Sequence, residues 1–318
     1  MKQRAIRIPE IQDKQLSFEE VFKKISLVGV SKKQSKAIGD KFNPNNSITL
    51  FHGDCLKLLK SIPNNSVSLV VTSPPYNIGK EYEKKSKIHE YYDWQREVIR
   101  ECHRILKDDG SICWQVGNYV DNGEVIPLDL LLYPIFTELK MKMRNRIIWH
   151  FGHGLHASKR FSGRHETIMW FSKSDNYYFD LDPVRVPQKY PNKKHFKGTK
   201  KGELSCNPNG KNPSDVWDIP NVKSNHVEKT DHPCQFPASL IERLVLSMTK
   251  ENDIVLDPFA GSGTTFVASI LNKRKCVGAE TEEKYIKIAT DRIRKSLSGE
   301  IKIREMNKPI YQPTDLEQ

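Results

Sequence analysis

No run in this chain approaches the ~18 consecutive apolar residues of a membrane span. The polar start, Met1-Lys2-Gln3-Arg4, lacks the apolar region of a secretory signal. A cytoplasmic protein with no membrane partner is expected. Cys-x-x-Cys pairs are missing as well: Cys55, Cys102, Cys113, Cys206, Cys234 and Cys276 are scattered, which argues for reduced thiols and against a zinc cluster. There is no internal repeat and no low-complexity tract. Acidic residues are in deficit, with 39 Asp plus Glu against 51 Lys plus Arg and a net charge of +12 over 318 residues. A surplus of that size favours a polyanionic partner. What is present, 37% hydrophobic residues, suffices for a sizeable core in one large or two modest domains.

Residues 1–45 are polar and basic and read as a helical or partly ordered arm. From Ile48 the pattern turns regular: strand Ile48–His52, a short helix at Cys55–Lys60, and strand Val67–Val71. A helix over Tyr92–Leu106 follows, ended by Asp108-Asp109-Gly110, then strand Ser111–Val116, a helix at Leu128–Leu139, and strands Arg146–His150 and Glu166–Ser172. This strand–helix–strand rhythm is that of a mostly parallel α/β sheet. Between Lys173 and Asp231 periodicity is lost in a stretch rich in Lys, Asn, Pro, Gly and Tyr, too long for a plain connection. Regularity resumes with helix Pro237–Met248, strand Ile254–Leu256, a glycine turn, a helix to Leu271, strand Lys275–Ala279 and helix Glu283–Ser296. The expected segments are 1–45, 46–174, 175–231, 232–297 and a tail at 298–318.

Thr72-Ser73-Pro74-Pro75-Tyr76 sits at the carboxyl end of strand Val67–Val71, where open α/β sheets keep their ligands. The prolines fix φ and contribute no backbone donor, so the carbonyls are held in direction without local partners. A serine hydroxyl, a stiff carbonyl at Pro74 and an aromatic face at Tyr76 suit a planar group bearing an NH₂, such as a nucleobase. For Ser73 alone, a turn cap is the bland reading. The second motif, Asp257-Pro258-Phe259-Ala260-Gly261-Ser262-Gly263-Thr264-Thr265, joins a strand to a helix through a loop that lets backbone approach a ligand. It lacks Gly-x-Gly-x-x-Gly spacing and a Walker lysine, which weakens nicotinamide, flavin and nucleotide-triphosphate readings. Glu280, about 20 residues on at the end of the next strand, is where a doubly wound fold places a carboxylate for ribose hydroxyls.

Ser73-Pro74-Pro75-Tyr76 followed by Asp257–Thr265 resembles the β class of amino-group DNA methyltransferases of bacterial restriction-modification or orphan type, which use S-adenosyl-L-methionine. His232-Pro233-x-x-Phe236-Pro237-x-x-Leu240 and Gly53-Asp54-Cys55 match further elements of that class, so the resemblance covers about residues 46–295. It implies a doubly wound, seven-stranded sheet, circularly permuted: the chain starts at the third strand and returns to the first two near its carboxyl end. It also implies a catalytic half at 46–174, a target-recognition insert at 175–231 and a cofactor half at 232–297. Ser73, Pro74, Pro75 and Tyr76 become catalytic, with Ser73 Oγ and the Pro74 carbonyl holding the amine protons and Tyr76 stacking on an extruded base. Asp54, Asp257, Phe259, Gly261, Gly263, Thr264 and Glu280 become cofactor residues. Asp54 also reads as an N-cap and Glu280 as a helix-start charge.

Lys159, Arg160 and Arg164, with Lys193, Lys194, Lys197, Lys200 and Lys201 in the insert, are the candidate contacts to duplex DNA; the bland reading of the insert lysines is a solvated loop. His150, His153 and His156 are spaced as metal ligands sometimes are, but without acidic or thiol neighbours they read as part of a DNA-facing loop, and no metal is expected. The target base divides the reading. A leading serine is the form commonest among cytosine-N4 enzymes, whereas Asn77-Ile78-Gly79-Lys80, Asn212-Pro213-x-x-Val216-Trp217-Asp218-Ile219-Pro220 and the His-Pro segment resemble adenine-specific members, and the balance leans to adenine. A paired restriction endonuclease, and a monomer or homodimer, fit this class. Rival readings are an RNA or protein-glutamine methyltransferase and a DNA-binding module with a degenerate cofactor pocket.

Overall fold

Burial on both faces dictates the centre of the sheet. In a computed structural model that describes residues 38–77, 79, 85–152, 154 and 156–308, strand β3 (Val67–Thr72) is buried along its whole length. Val70 faces one apolar cluster while Leu69 and Val71 face the other, as an inner parallel strand requires. Before β3 the chain forms β1 (Ile38–Gly39), β2 (Ile48–His52) and helix α1 (Cys55–Ser61). After it come α2 (Ile88–Ile105), β4 (Leu106–Val116), a hairpin of β5 (Asn118–Asp121) and β6 (Glu124–Pro127), α3 (Leu128–Glu138), β7 (Lys142–His150) and β8 (His165–Ser172). The carboxyl-terminal part supplies β9 (Val216–Asp218), α4 (Ala238–Met248), β10 (Ile254–Asp257), α5 (Thr264–Leu271), β11 (Lys275–Glu280) and α6 (Glu283–Ser298).

The sheet order is β1-β2-β11-β10-β3-β4-β8-β7-β9. All pairs from β1 to β4 are parallel, and β8 runs antiparallel to both β4 and β7. The last two strands, β10 and β11, are therefore inserted between β2 and β3, the permuted order expected from the sequence. Helices cover both faces. Val98, Ile99 and Cys102 of α2 and Leu132 and Phe136 of α3 fill one core, and Leu240, Ile241, Leu244 and Val245 of α4 fill the other against Ile147 and Trp149.

Nine strands stand where seven were expected. The additions are short edge pieces: β1 beside β2, and β9, which pairs in parallel with β7 at Ile148↔Val216 and Trp149↔Trp217. Three residues are too few for a period to show, so β9 was invisible in an irregular insert. That insert also holds a 3₁₀ turn at Asp182–Val184 and antiparallel bridges Val186↔Lys211 and Lys194↔Leu204. The β5–β6 hairpin had a legible signal, since Asn122-Gly123 takes positive φ at both residues (48° and 87°), the geometry Asn-Gly turns favour. Helix α2 begins four residues before the expected Tyr92, because the Glu90 carboxylate accepts the Lys87 N–H at 3.1 Å and caps it. Its end differs also: Asp108-Asp109-Gly110 is no terminal turn but part of a bulge, since Val67 pairs with Leu106 and Leu69 with Ser111. The basic arm lies mostly outside the described residues, as do residues 309–318 of the tail.

Gly263 caps α5 at φ 76°, and a Cβ there would lie 2.9 Å from Ala289 Cβ of α6. Gly299 has a similar φ of 74° but open space around it. Gly263→Ala should therefore lose about 2–4 kcal/mol, left-handed strain plus overpacking, in urea unfolding. Gly299→Ala should lose only the strain, about 1–2 kcal/mol.

Candidate active site

Parallel strands end together, and the rim they form holds a cavity of about 530 Å³. Gly53 and Asp54 follow β2, Glu280 ends β11, Pro258 to Ser262 follow β10, residues 73–76 follow β3, and Gln115 lies near the end of β4. Because β8 runs the other way, it presents its start, Glu166, to the same rim. The two motifs, far apart in sequence, thus face one cavity.

Of the expected cofactor residues, Asp54, Phe259, Gly261, Thr264 and Glu280 line this cavity; Asp257 and Gly263 stand behind its wall. Asp257 is wholly buried, and its carboxylate accepts from Thr72 Oγ1 at 2.5 Å, Thr265 Oγ1 at 2.6 Å and the Phe259 N–H at 3.1 Å. Burial nevertheless pushes this carboxyl up to about 6. Gly263 serves packing against α6. Asp54 does cap α1, accepting the Leu56 N–H at 2.7 Å, while still facing the cavity. Glu280 accepts the Gly261 N–H at 2.9 Å and the Glu282 N–H at 2.9 Å, and burial raises its carboxyl above the usual value. Thr264 Oγ1 accepts from Arg292 at 2.8 Å; Arg292 also donates to the Ser262 carbonyl at 2.9 Å, so a buried guanidinium on α6 props the loop from behind. Phe259 packs its ring 5.4 Å from that of Trp94, a cavity residue on α2 that sequence reasoning did not single out.

At the other end, Ser73, Pro74, Pro75 and Tyr76 all line the cavity. Ser73 Oγ and Tyr76 Oη are 2.9 Å apart, Tyr76 Oη donates to Glu166 Oε2 at 3.0 Å, and Gln115 Nε2 donates to the same oxygen at 2.7 Å. Burial, then the Glu166 charge, pushes the Tyr76 phenol well above its ordinary range. Gly117 gives the Tyr76 ring its seat: a Cβ there would come within 3.1 Å of the ring. Glu166 and Gln115 carry no motif of their own, and a sequence reading directed at the turns after parallel strands passes over both.

The basic candidates lie apart from the cavity wall. Lys159, Arg160, Lys193, Lys194, Lys197, Lys200 and Lys201 are exposed, and Arg164 is half-buried. Phe161 and Phe196, both largely exposed, sit among them. His150 has an acidic neighbour after all, Asp218 of β9, with Nδ1 and Oδ1 2.6 Å apart. His156 lies 3.5 Å from Arg164, and His153 falls outside the described residues. Among the described residues no three His, Cys, Asp or Glu side chains gather as a metal site, and no helix is long and apolar enough to cross a membrane.

A family model described as DNA methylase (N6_N4_Mtase) matches residues 67–291. Type II methyltransferase M.BglII of Bacillus subtilis is 59% identical over 242 residues, 76% of this chain and 67% of that protein. DNA adenine methyltransferase YhdJ of Escherichia coli (strain K12) is 37% identical over 78% of this chain and 83% of its own length. Among solved structures, PvuII DNA methyltransferase (cytosine-N4-specific) superposes with a TM-score of 0.61 at 23% identity over 86% of this chain and 98% of that one. A DNA modification methylase of Thermus thermophilus, TTHA0409, solved in complex with S-adenosyl-L-methionine, gives 0.56 at 29% identity over 79% and 96%. The fold and the two facing motifs are those of an amino-group methyltransferase. The chain belongs to the N6_N4_Mtase family of DNA methylases.

The Asp257 carboxyl, raised from an ordinary 3.8 to about 6, gives a signed expectation. A value raised on folding means that the stability tied to this group is complete below its unfolded value and is lost as pH climbs through the folded one. The stability of the native chain minus that of Asp257→Asn should shrink by about 3 kcal/mol between about pH 4 and 7, read by urea unfolding.

Proposed function

We propose that this chain methylates the exocyclic amino group of a base in duplex DNA, with Ser73 and the Pro74 carbonyl as the amine's acceptors and with the basic loops as its DNA contacts. The observation that supports it is the single cavity shared by the diproline corner and the glycine turn. S-adenosyl-L-methionine, the family's cofactor, supplies an electrophilic methyl on a sulfonium. The residues present suit it: Glu280 has spent one acceptor site of each oxygen on backbone amides and keeps others for a vicinal diol, and the Trp94–Phe259 pair offers aromatic surface to a purine.

The chemistry required of the protein is small. The lone pair of an aromatic amine is delocalised into the ring, and acceptors that hold its protons favour a pyramidal nitrogen as charge develops. Pro74 and Pro75 keep their carbonyls free of proline donors, and the Tyr76 ring, seated on Gly117, provides a face for a base swung out of the stack. Asp54, Asp257, Gly263 and Thr264 act through the shape of the rim. Segments 46–174 and 232–297 on this reading form the catalytic and cofactor halves, and 175–231 the target-recognition insert, acting in the cytoplasm beside a paired endonuclease or alone.

Two bases share the required edge, and one observation favours each. The neutral acceptor Ser73 favours cytosine N4; the flanking residues after Tyr76 and in the insert, with the identity to an adenine methyltransferase, favour adenine N6. Mass spectrometry of nucleosides from DNA methylated by the chain separates them.

Ser73→Ala should slow methyl transfer on the order of 10²–10³-fold with duplex affinity retained. Labelled methyl uptake is to be compared across duplex DNA, RNA and protein; uptake by RNA or protein but not DNA would overturn the assignment. Replacing Lys193, Lys194, Lys197, Lys200 and Lys201 with alanine should flatten the slope of log affinity against log salt by about 0.9 for each phosphate no longer neutralised. An unchanged slope would mean that this loop is merely solvated.

A further inference from the structure

Tyr76 is expected to stack, and stacking uses only its ring. Its hydroxyl, however, is engaged at both sides. The phenol has one proton and gives it to Glu166 Oε2 at 3.0 Å, an oxygen that also accepts from Gln115 Nε2 at 2.7 Å. A carboxylate that receives two donors on one oxygen is an acceptor, not a donor. The 2.9 Å contact between Tyr76 Oη and Ser73 Oγ must then carry the serine proton toward the tyrosine. Direction is thereby fixed along the row, and the free lone pairs of Ser73 Oγ are turned to the cavity as acceptors. Gln115 is 4% exposed, so its amide is held rather than free to drift, and its Nε2 anchors the far end.

Resting on the proposed function above, we infer that Glu166 is a positioning residue and the terminal proton acceptor of a Ser73–Tyr76–Glu166 relay that both orients the serine and drains the amine proton. In the step itself a nitrogen–carbon bond forms as the carbon–sulfur bond breaks, and the sulfur keeps that electron pair. One N–H proton of the resulting cationic amine passes to Ser73 Oγ, the serine proton to Tyr76 Oη, and the tyrosine proton to Glu166 Oε2. The carboxylate ends as a carboxylic acid and later returns its proton to water. Charge and atoms balance without a further reactant. A neutral serine thus gains the electrostatic backing of a carboxylate two hydrogen bonds away.

The test uses Glu166→Gln, Tyr76→Phe and their combination in the full chain. In single-turnover transfer to duplex DNA, each single change should slow the chemical step on the order of 10²-fold while the dissociation constants for DNA and S-adenosyl-L-methionine stay unchanged. The double variant should be no slower than the slower single, because both cut one row. Equal rates for Glu166→Gln and the unaltered chain, or losses that multiply, would overturn the relay. A second readout needs neither DNA nor cofactor. The ultraviolet titration difference between the chain and Tyr76→Phe isolates the Tyr76 phenol, which should ionise at lower pH in Glu166→Gln. The charged or titratable groups facing that phenol are Glu166 from β8 and Cys234 from the segment before α4, while Ser73 and Gln115 carry no charge; a Cys234→Ser background removes the thiol. A titration unmoved by Glu166→Gln would sink the coupling. Failure of the proposed function would show differently, as absent methyl uptake by the unaltered chain.

Discussion

One buried carboxylate holds the two halves of the site in register. Asp257 at the end of β10 accepts Thr72 Oγ1, the last residue of neighbouring β3, at 2.5 Å, and Thr265 Oγ1 of α5 at 2.6 Å. Each partner stands at the doorway of a motif: Thr72 precedes the diproline corner, and Thr265 lies in the first turn after the glycine loop. Burying a carboxylate is unfavourable, as its raised proton affinity records. Three donors offset much of that cost, and in a low-dielectric interior such bonds hold geometry firmly. The spacing between corner and loop therefore depends on a side chain that touches neither the cavity nor any ligand in it.

The same separation between wall and lining recurs around the rim. Gly263 bends the loop and lets α6 approach, Arg292 props Ser262 and Thr264, and Gly117 seats the Tyr76 ring. Few residues remain to face the contents directly, and most of these have second duties, Asp54 as a helix cap and Glu280 as the acceptor for the Gly261 amide. A rim built this way is stiff because each lining group is fixed by a partner one layer back.

Most of this was legible in the sequence where a residue's role depended on its place along the chain. Apolar runs ended by turn residues marked β2, β3, β10 and β11, and the diproline and glycine motifs marked the turns leaving β3 and β10, so the permuted order and the shared rim could be read before any coordinate. The rest depended on relations across the sheet. β9 is three residues long and exists because β7 offers it an edge. Asp108-Asp109-Gly110 has the composition of a helix stop, yet sits in a bulge whose neighbour Lys107 bonds Ser68 Oγ and Asp253. Glu166 reaches the site from the start of an antiparallel strand, a direction that local pattern does not reveal. Asp257 and Gly263 carry the right motif letters but act one layer back, a distinction made by burial alone.

The insertion of β10 and β11 between β2 and β3 has a consequence for the chain as it is made. The middle of the sheet is synthesised last, so an emerging polypeptide holds two flanks with unpaired inner edges until its carboxyl-terminal part leaves the ribosome. Such edges invite mispairing, and closing them late makes assembly depend on distant contacts. The arrangement also keeps a half-made chain chemically silent, since the corner has no opposing loop until the final strands slot into the gap.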